Sequence, residues 1–344
     1  MPSSTKLVVK PLHPTFIAEV TGVDWTKPID AESFRQIDEA IYKYGVLVFR
    51  DTGLDDKRQI AFSRLFGELD DMAPHVKLGR KLRLPDVEIF DVSNLNEDGE
   101  VVTESDRARL SLNKGNTLWH ADLAFNSRRT GLSILRGHKI PPRGMGGETS
   151  YLDARTAYED LSTEMKEKIE PLVANNSLVY NRKLGDPEFY EDIDPADFGF
   201  SRHKIAVPHP QSGRKTLYLT TYCHHFDGMT QEESQLIINE LFKHATQDKY
   251  VMKIEWENDS DLVMWDNTAV LHKASAGGAY LTTHPRDMRR TSVFDAGPYG
   301  HGENDPTAPF RQGINNLKVK SGGGMAQDRD PVSVVQAAAM APSI

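Results

Sequence analysis

His120 and Asp122 are the two residues of this chain whose types and spacing best fit a metal site. Only Ala121 stands between them, in the segment from Asn116 to Phe125. In an extended strand, side chains two residues apart point to the same face, so an imidazole nitrogen and a carboxylate oxygen can converge on one ion. A ferrous site of the facial-triad type takes two histidines and one carboxylate and leaves positions open for other molecules. The chain must therefore supply a second histidine from elsewhere.

His272 is the histidine that best completes such a site. It follows a predicted strand that ends near Trp265 and a turn at Asp266-Asn267, roughly 150 residues beyond Asp122. Because several predicted strands lie between, we expect His272 to reach the ion from the opposite side of a barrel mouth.

Two other segments share the His-x-acid pattern, so the pattern alone is weak evidence. His225-Phe226-Asp227 has the same spacing, and His301-Gly302-Glu303 nearly has it. Asp227 runs into a glycine and the start of a predicted helix, which favours a turn residue. His301 lies in a stretch rich in Gly, Asp and Pro, which favours an exposed loop. At least two of the three segments must be structural or fortuitous.

Arg286, Arg289 and Arg290 lead into a predicted strand rich in β-branched residues. A dicarboxylate that binds an iron ion through one end leaves a far carboxylate, which arginine pairs best through two parallel hydrogen bonds. A hydroxyl such as that of Thr149 can donate to a remaining lone pair. A buried carboxylate without a partner would cost about 3–5 kcal/mol. The alternative is a surface arginine cluster, and we retain it for Arg289, which must face away from Arg290.

Composition bounds the class of protein. The 344 residues are 38% hydrophobic and 26% charged, enough for a sizeable core. A net charge of -9 without a basic cluster argues against a nucleic-acid surface. The single cysteine, Cys223, excludes an intramolecular disulfide and a cysteine-rich metal site. With no apolar leader or membrane-length apolar run, we expect a soluble, cytoplasmic protein without nucleic-acid or membrane partners.

Many short predicted strands, with helices at the start and between them, indicate one antiparallel barrel or jelly roll with helical decoration. The first predicted helix has a capping residue at Asp30 and a left-handed cap at Gly45. No domain linker is evident, so we predict a single domain over residues 1–305. A polar connection predicts a lid within residues 70–115, and weak periodicity predicts an insert at 175–211. Residues 306–344 form a predicted tail whose last part we expect to be flexible.

From about Lys6 to Asp295, the sequence resembles the iron(II)- and 2-oxoglutarate-dependent dioxygenases of the taurine dioxygenase and 2,4-dichlorophenoxyacetate dioxygenase family. The resemblance rests on segments spread along the chain, which are Lys10-Pro11-Leu12, Ala18 to Asp24, Gly45 to Arg50, Phe66 to Leu69, Trp119 to Asp122, Gly146 to Thr149, Trp265 to Asn267, His272 and Arg286 to Arg290. The fold that it implies is mainly β, with a double-stranded β-helix (cupin-like jelly roll) core.

The resemblance also implies roles for particular residues. His120, Asp122 and His272 would hold Fe(II), and Thr149 with Arg286 would bind the far carboxylate of 2-oxoglutarate. Asn116 would lie beside the co-substrate. Arg290 would lie beside its iron-chelating end or an anionic group of the substrate. An extra segment, Ala276 to Thr283, leaves open which arginine binds the far carboxylate.

The activity implied is oxidation by Fe(II), 2-oxoglutarate and O2, with release of succinate and CO2. Hydroxylation of a small carboxylate or sulfonate is the default. Desaturation or oxidative cyclisation of an amino-acid-like substrate stays open, as does a non-oxidative metal-binding barrel. Candidate substrate-binding residues are Arg290, His75, Tyr222 and His225. Met72 stands where the taurine enzymes place a substrate-binding histidine, which argues against taurine. A homo-oligomer also stays open.

Overall fold

The computed structural model describes residues 6–77, 81–312, 317–319 and 325–327. Its strands are β1 (Val8–Pro11), β2 (Ala18–Thr21), β3 (Val46–Phe49), β4 (Phe90–Ser93), β5 (Thr130–Lys139), β6 (Thr149–Asp153), β7 (Val173–Asn176), β8 (Ser201–Lys204), β9 (Ala206–His209), β10 (Arg214–Leu217), β11 (Cys223–Phe226), β12 (Val251–Ile254), β13 (Leu262–Asp266), β14 (Val270–Ala274), β15 (Asp287–Phe294), β16 (Leu317–Val319) and β17 (Met325–Gln327).

Eight α-helices connect the strands within the described residues. They are α1 (Ala31–Tyr44), α2 (Asp56–Ser63), α3 (Ala73–Lys77), α4 (Arg107–Lys114), α5 (Ala154–Glu159), α6 (Thr163–Ile169), α7 (Leu178–Gly185) and α8 (Gln231–Ala245). Short 3-10 helices occupy Gly115–Thr117, Pro195–Phe198 and Asp248–Tyr250. None of the described helices combines the length and apolar composition that a membrane span requires.

The largest sheet has seven strands in the order β1-β2-β3-β13-β5-β15-β4. Its neighbouring strands are antiparallel except for β2 and β3, which are parallel. The other described sheets are β12-β6-β14, β11-β7-β8, β10-β9 and β16-β17. The antiparallel pairing of strands far apart in sequence is the pattern of a jelly roll.

The two faces of the large sheet bury different partners because successive strand residues point to opposite sides. In β3, Val46 and Val48 belong to the same apolar cluster as Tyr151 of β6. Leu47 and Phe49 point to the other side and pack in a cluster with α1. The large sheet is therefore packed against a smaller sheet on one face and covered by helix on the other. This arrangement confirms the predicted mainly β fold with helical decoration.

The first helix has the ends that the sequence predicts. The Asp30 side chain accepts hydrogen bonds from the backbone N–H groups of Glu32 and Ser33, which satisfies two of the free donors at the start of α1. Gly45 ends the helix with φ at 73°, in the left-handed region. The chain then turns directly into β3, which places this buried strand beside β13.

Two predicted segments are more regular than expected. Residues 175–211 contain α7, β8 and β9, and β8 pairs with β7 along its whole length. Residues 70–115 contain α3, β4 and α4, and β4 forms an edge of the large sheet by pairing with β15. A lid function for residues 70–115 stays a prediction.

The start of the predicted tail packs on the domain. Arg311 forms an ion pair with Asp70 at 2.6 Å, and the Gln312 side chain accepts a hydrogen bond from the Leu178 N–H at 2.7 Å. The flexibility expected for the last part of the tail concerns residues 328–344, which lie outside the described residues.

Candidate iron and co-substrate site

His120 and His272 are neighbours, joined by two backbone hydrogen bonds. The His120 N–H donates to the His272 carbonyl at 3.0 Å, and the His272 N–H donates to the His120 carbonyl at 2.9 Å. The two imidazole centroids are 4.2 Å apart. His272 follows β13 and a turn, as predicted. The expectation of approach from opposite sides of a barrel mouth is wrong, because β14, which carries His272, pairs with the segment at His120. A single antiparallel bridge places both rings side by side.

Asp122 is oriented by a hydrogen-bond network from β5 and the turn after β13. Its Oδ2 accepts from the Ser133 hydroxyl at 2.6 Å. The Asn267 side chain accepts from the Asp122 N–H at 2.9 Å and donates to Ser133 Oγ at 2.9 Å. The extended backbone ends here, since Leu123 has φ at 55°. Ser133 and Asn267 thus fix the carboxylate, although the sequence analysis assigned neither of them a role.

The three side chains suit a divalent metal ion. One ligand atom each from His120, Asp122 and His272 lies within 4.8 Å of the others, and all three residues are buried. The His120 Nδ1 is 2.7 Å from the Leu118 carbonyl, which accepts its proton and leaves Nε2 as the free nitrogen. The His272 Nδ1 is buried without a hydrogen-bond partner. Two imidazoles and one carboxylate form a donor set that fits ferrous iron.

Burial keeps both imidazoles neutral. Burial lowers the pKa of His120 to about 4 and that of His272 well below its ordinary value, against the opposing charge of Asp122. Burial disfavours ionisation of Asp122, but the charge of Arg290, with the hydrogen bond from Ser133, holds its pKa below the usual range. All three groups therefore have free lone pairs at neutral pH, as metal ligands require.

Arg290 lies in direct contact with the triad. Its Nη1 donates to Asp122 Oδ1, and its guanidinium lies over the Phe90 ring at 4.9 Å. Its Nε is buried without a hydrogen-bond partner. Arg289, the adjacent residue of β15, instead pairs with Asp56 at 2.5 Å and Asp287 at 3.3 Å. Arg289 faces away from the site, as predicted, but it belongs to a buried ion-pair network and is not a surface residue.

Arg286 lies against the backbone that leads to Thr149. Its Nε donates to the Gly147 carbonyl at 3.0 Å. Gly147 has φ at 94°, and a Cβ added there would lie 3.3 Å from the arginine Nε, so a glycine suits this close approach. Asn94 accepts from the Arg286 N–H at 2.7 Å and donates to the carbonyls of the preceding loop. Arg286 and Arg290 thus contact different groups, since Arg290 donates to Asp122.

Tyr151 is a buried residue of the site that the sequence analysis missed. It pairs with His272 on the neighbouring strand, and the two rings are 6.3 Å apart. Its hydroxyl is buried and interacts with the Thr149 side chain. Burial raises the pKa of Tyr151 well above its ordinary value, with the Asp122 charge acting in the same direction and the Arg286 charge against it. The hydroxyl therefore lies within electrostatic range of both the triad and Arg286.

The remaining predicted site residues differ in position. Tyr222 packs with its ring 5.9 Å from that of His120. Asn116 lies half-buried on Gly115–Thr117, which packs against β14, while His75 lies half-buried on α3. His225 contacts His224 and has its ring 5.2 Å from that of Phe200, and no described contact joins it to the triad. The roles of Asn116, His75 and His225 stay predictions.

The two look-alike segments are separate from the triad. Asp227 forms an ion pair with Arg202 and accepts a hydrogen bond from Asn175 at 2.7 Å. His301 and Glu303 lie in a turn. Among the described residues, His120, Asp122 and His272 are the three that come together as a metal-ligand group.

Comparison with known proteins agrees with this geometry. The model of the taurine catabolism dioxygenase TauD, TfdA family matches residues 9–292. The chain belongs to this family. The resemblance found in the sequence is thereby confirmed, and the protein is a 2-oxoglutarate-dependent dioxygenase that uses Fe(II), 2-oxoglutarate and O2.

The similarity to known relatives extends over most of the length of this dioxygenase. It is 35% identical to the alpha-ketoglutarate-dependent 2,4-dichlorophenoxyacetate dioxygenase of Burkholderia sp. (strain RASC), over 82% of this chain and 93% of that protein. It is 31% identical to the (S)-phenoxypropionate/alpha-ketoglutarate-dioxygenase of Sphingobium herbicidovorans, over 78% of this chain and 88% of that one. The crystal structure of AAD-2 in complex with Mn(II) and N-oxalylglycine has a TM-score of 0.77 and 34% identity, covering 85% of this chain and 99% of that one.

Metal binding by this dioxygenase should depend little on pH above 5.5. Two imidazoles of ordinary pKa, about 6.5, would weaken metal binding about 100-fold between pH 7.5 and 5.5, because protons compete for both nitrogens. The lowered pKa values of His120 and His272 remove most of that competition. We expect the Kd for Mn(II), measured by calorimetric titration, to change less than about 3-fold over this range. A change near 100-fold would contradict the assignment of neutral, buried imidazoles.

Proposed function

We propose that this dioxygenase oxidises a C–H bond of a small anionic molecule, and that His120, Asp122 and His272 hold the iron. The observation that carries the site assignment is the buried cluster of these three side chains, with Arg290 in contact with Asp122. When bound, Fe(II) supplies the oxidative chemistry, in which 2-oxoglutarate and O2 are consumed and succinate and CO2 are released. The protein residues supply binding, orientation and exclusion of water.

Arg286 and Arg290 have different roles in the proposed binding of 2-oxoglutarate. We infer that Arg286, with the Thr149 hydroxyl, pairs with the far carboxylate of 2-oxoglutarate. Support comes from the placement of Arg286 against Gly147, two residues before Thr149, and from the buried Tyr151 hydroxyl, which interacts with both Thr149 and Arg286. The Tyr151 hydroxyl is then a further donor to a carboxylate oxygen. Arg290, which contacts Asp122, is left for the iron-binding end or for the substrate.

The proposed substrate class rests on Arg290, which is not needed for the far carboxylate of 2-oxoglutarate, and on the substrates of the relatives. A guanidinium whose buried Nε–H has no acceptor, as in Arg290, favours an oxyanion partner. The named substrates of two relatives are aryloxyalkanoic acids, which carry one carboxylate on an apolar aromatic body. We therefore propose a small carboxylic acid with an apolar body as substrate, hydroxylated at carbon.

Substrate-stimulated succinate formation tests this function. With Fe(II), 2-oxoglutarate and O2, we expect phenoxyacetate or 2,4-dichlorophenoxyacetate to raise the rate of succinate formation at least about 10-fold over the rate without substrate, since a bound substrate couples co-substrate turnover to oxidation. Taurine should not stimulate it, because Met72 stands in place of the expected histidine. Stimulation by taurine alone, or a flat response to the whole panel of acids, would reject the proposed substrate class.

A further inference from the structure

Arg182 is a buried arginine in α7 that has no acidic partner. Arg182 is 8% exposed, and its Nε has no hydrogen-bond partner. The guanidinium donates from Nη1 to the Asn181 side chain at 2.8 Å, which is a neutral acceptor. Asp186, one turn further along, is paired with Lys114 instead. No described carboxylate lies within ion-pair distance of Arg182, which is unusual because a buried charge normally has a counterion.

Arg182 is fixed beside Gly115–Thr117, the short helix that carries Asn116, through its neighbour Asn181. Asn181 donates to the Gly115 carbonyl at 3.4 Å and to the Thr221 hydroxyl at 2.9 Å. That hydroxyl donates to the Trp119 carbonyl at 2.9 Å, so a chain of hydrogen bonds connects Arg182 to the residue before His120. A Cβ added to Gly115 would lie only 2.1 Å from Arg182 Nη1, so the absence of a side chain at Gly115 makes room for the guanidinium.

Three other groups lie within electrostatic range of Arg182, namely the phenols of Tyr222 and Tyr190 and the guanidinium of Arg290. Arg182 lies within electrostatic range of the Tyr222 phenol, and the Tyr222 ring packs 5.9 Å from that of His120. The two arginines also act on each other unfavourably. The Tyr190 hydroxyl, which interacts with the same guanidinium and with the Ser111 side chain, is also buried. The region beside His120 thus holds the buried guanidinium of Arg182, the half-buried guanidinium of Arg290 and two phenols, with Asp122 as the nearby carboxylate.

We propose that Arg182 binds the anionic group of the substrate that is oxidised, which is a carboxylate or the sulfate group of an ester. The hydroxyls of Tyr190 and Tyr222 are further donors. This inference rests on the proposed function, since it places the substrate beside the triad. A bound oxyanion would supply both the missing counterion and an acceptor for the unpartnered Nε of Arg182. The donors of Arg182 are arranged as a planar fork, which fits either a carboxylate or a sulfate group through two parallel hydrogen bonds.

Equilibrium binding tests the role of Arg182 without requiring turnover. Protein loaded with Fe(II) and 2-oxoglutarate under anaerobic conditions is titrated by calorimetry with phenoxyacetate, hexyl sulfate and neutral 2-phenoxyethanol. We expect the wild-type protein to bind at least one of the two anions, and Arg182→Met to weaken that binding at least about 30-fold, as for loss of a buried charged contact. Arg182→Lys should recover little of it, and binding of 2-phenoxyethanol should change far less.

Thermal unfolding separates this role from a structural one. Arg129→Met is the matched control, because Arg129 is also buried but pairs with Asp295 at 2.9 Å. Arg129→Met leaves the half-buried Asp295 carboxylate without its partner and should lower the Tm, whereas Arg182→Met leaves no unpaired acid and should not. A Tm loss in Arg182→Met as large as that in Arg129→Met would overturn the proposal.

Three binding results would also overturn it. They are failure of the wild-type protein to bind either anion, equal anion binding by Arg182→Met, and a loss of 2-oxoglutarate affinity in that variant in place of anion affinity. Succinate formation by the wild-type protein without substrate shows separately whether the co-substrate site works. If anion binding depends on Arg182 but no anion stimulates succinate formation, the proposed substrate class fails while the anion site stands.

Discussion

Asp122→Ala should abolish succinate formation and remove the weak visible absorption band that Fe(II) and 2-oxoglutarate give together under anaerobic conditions. The substitution removes the one carboxylate of the triad and also leaves Arg290 as an unpaired positive charge beside the metal position. Loss of a supporting contact costs a metal site roughly 10–100-fold in affinity, and loss of a ligand should cost more. Absorption spectroscopy during titration with Fe(II), in the presence of saturating 2-oxoglutarate, measures the effect.

Asp227→Ala is the control, since Asp227 has the same spacing from a histidine. It pairs with Arg202 near the surface and does not approach the triad. The band and the succinate yield should both persist in this variant. Circular dichroism establishes whether Asp122→Ala is folded. A folded Asp122→Ala protein that keeps the band would remove Asp122 from the ligand set.

Arg286→Lys should raise the Kd for 2-oxoglutarate by about 30-fold to 1,000-fold, which corresponds to about 2–4 kcal/mol for truncating one partner of a buried charge pair. Lysine keeps the charge but cannot form two parallel hydrogen bonds with a carboxylate, and it cannot keep the same bond from Nε to the Gly147 carbonyl. Anaerobic titration of the Fe(II)-loaded protein with 2-oxoglutarate gives the Kd directly.

Arg289→Lys provides the comparison on the same strand. Arg289 pairs with Asp56 and Asp287, on the side of β15 away from the triad, so this variant should bind 2-oxoglutarate as the wild type does. The parallel variant Arg290→Lys tests the alternative. If the affinity falls more in Arg290→Lys than in Arg286→Lys, the far carboxylate belongs to Arg290.

The regular parts of the fold could be predicted because their signals are local. The caps of α1 at Asp30 and Gly45 act on backbone groups within a few residues, and the apolar run of β3 must be buried on both faces. Residues 175–211 were harder, because α7 is short and β8 alternates buried and exposed residues over only four positions. Such short elements are stabilised by tertiary partners, here β7 and the neighbouring helix α4, and not by their own propensity.

The triad could be predicted because metal ligands must be of few residue types. Its geometry could not, since the bridge between His120 and His272 depends on how β14 is placed by β6. Tyr151, Asn267 and Arg182 were missed as site residues for a related reason. Tyrosine, asparagine and arginine are common in structural roles, and what distinguishes these three is burial, an unpartnered atom or a contact across the fold. The Trp265-Asp266-Asn267 segment was the one available signal for Asn267.

The bridge between His120 and His272 has a consequence for folding. Closing a loop of roughly 150 residues has a large entropic cost, and contacts between such distant positions form slowly. The backbone hydrogen bonds of the bridge, together with pairing of β14 and β6, are made entirely by the chain and need no ion. We therefore expect the ligand geometry to form late in folding. Iron should then enter a folded protein, and a chelator should empty the site while the fold persists.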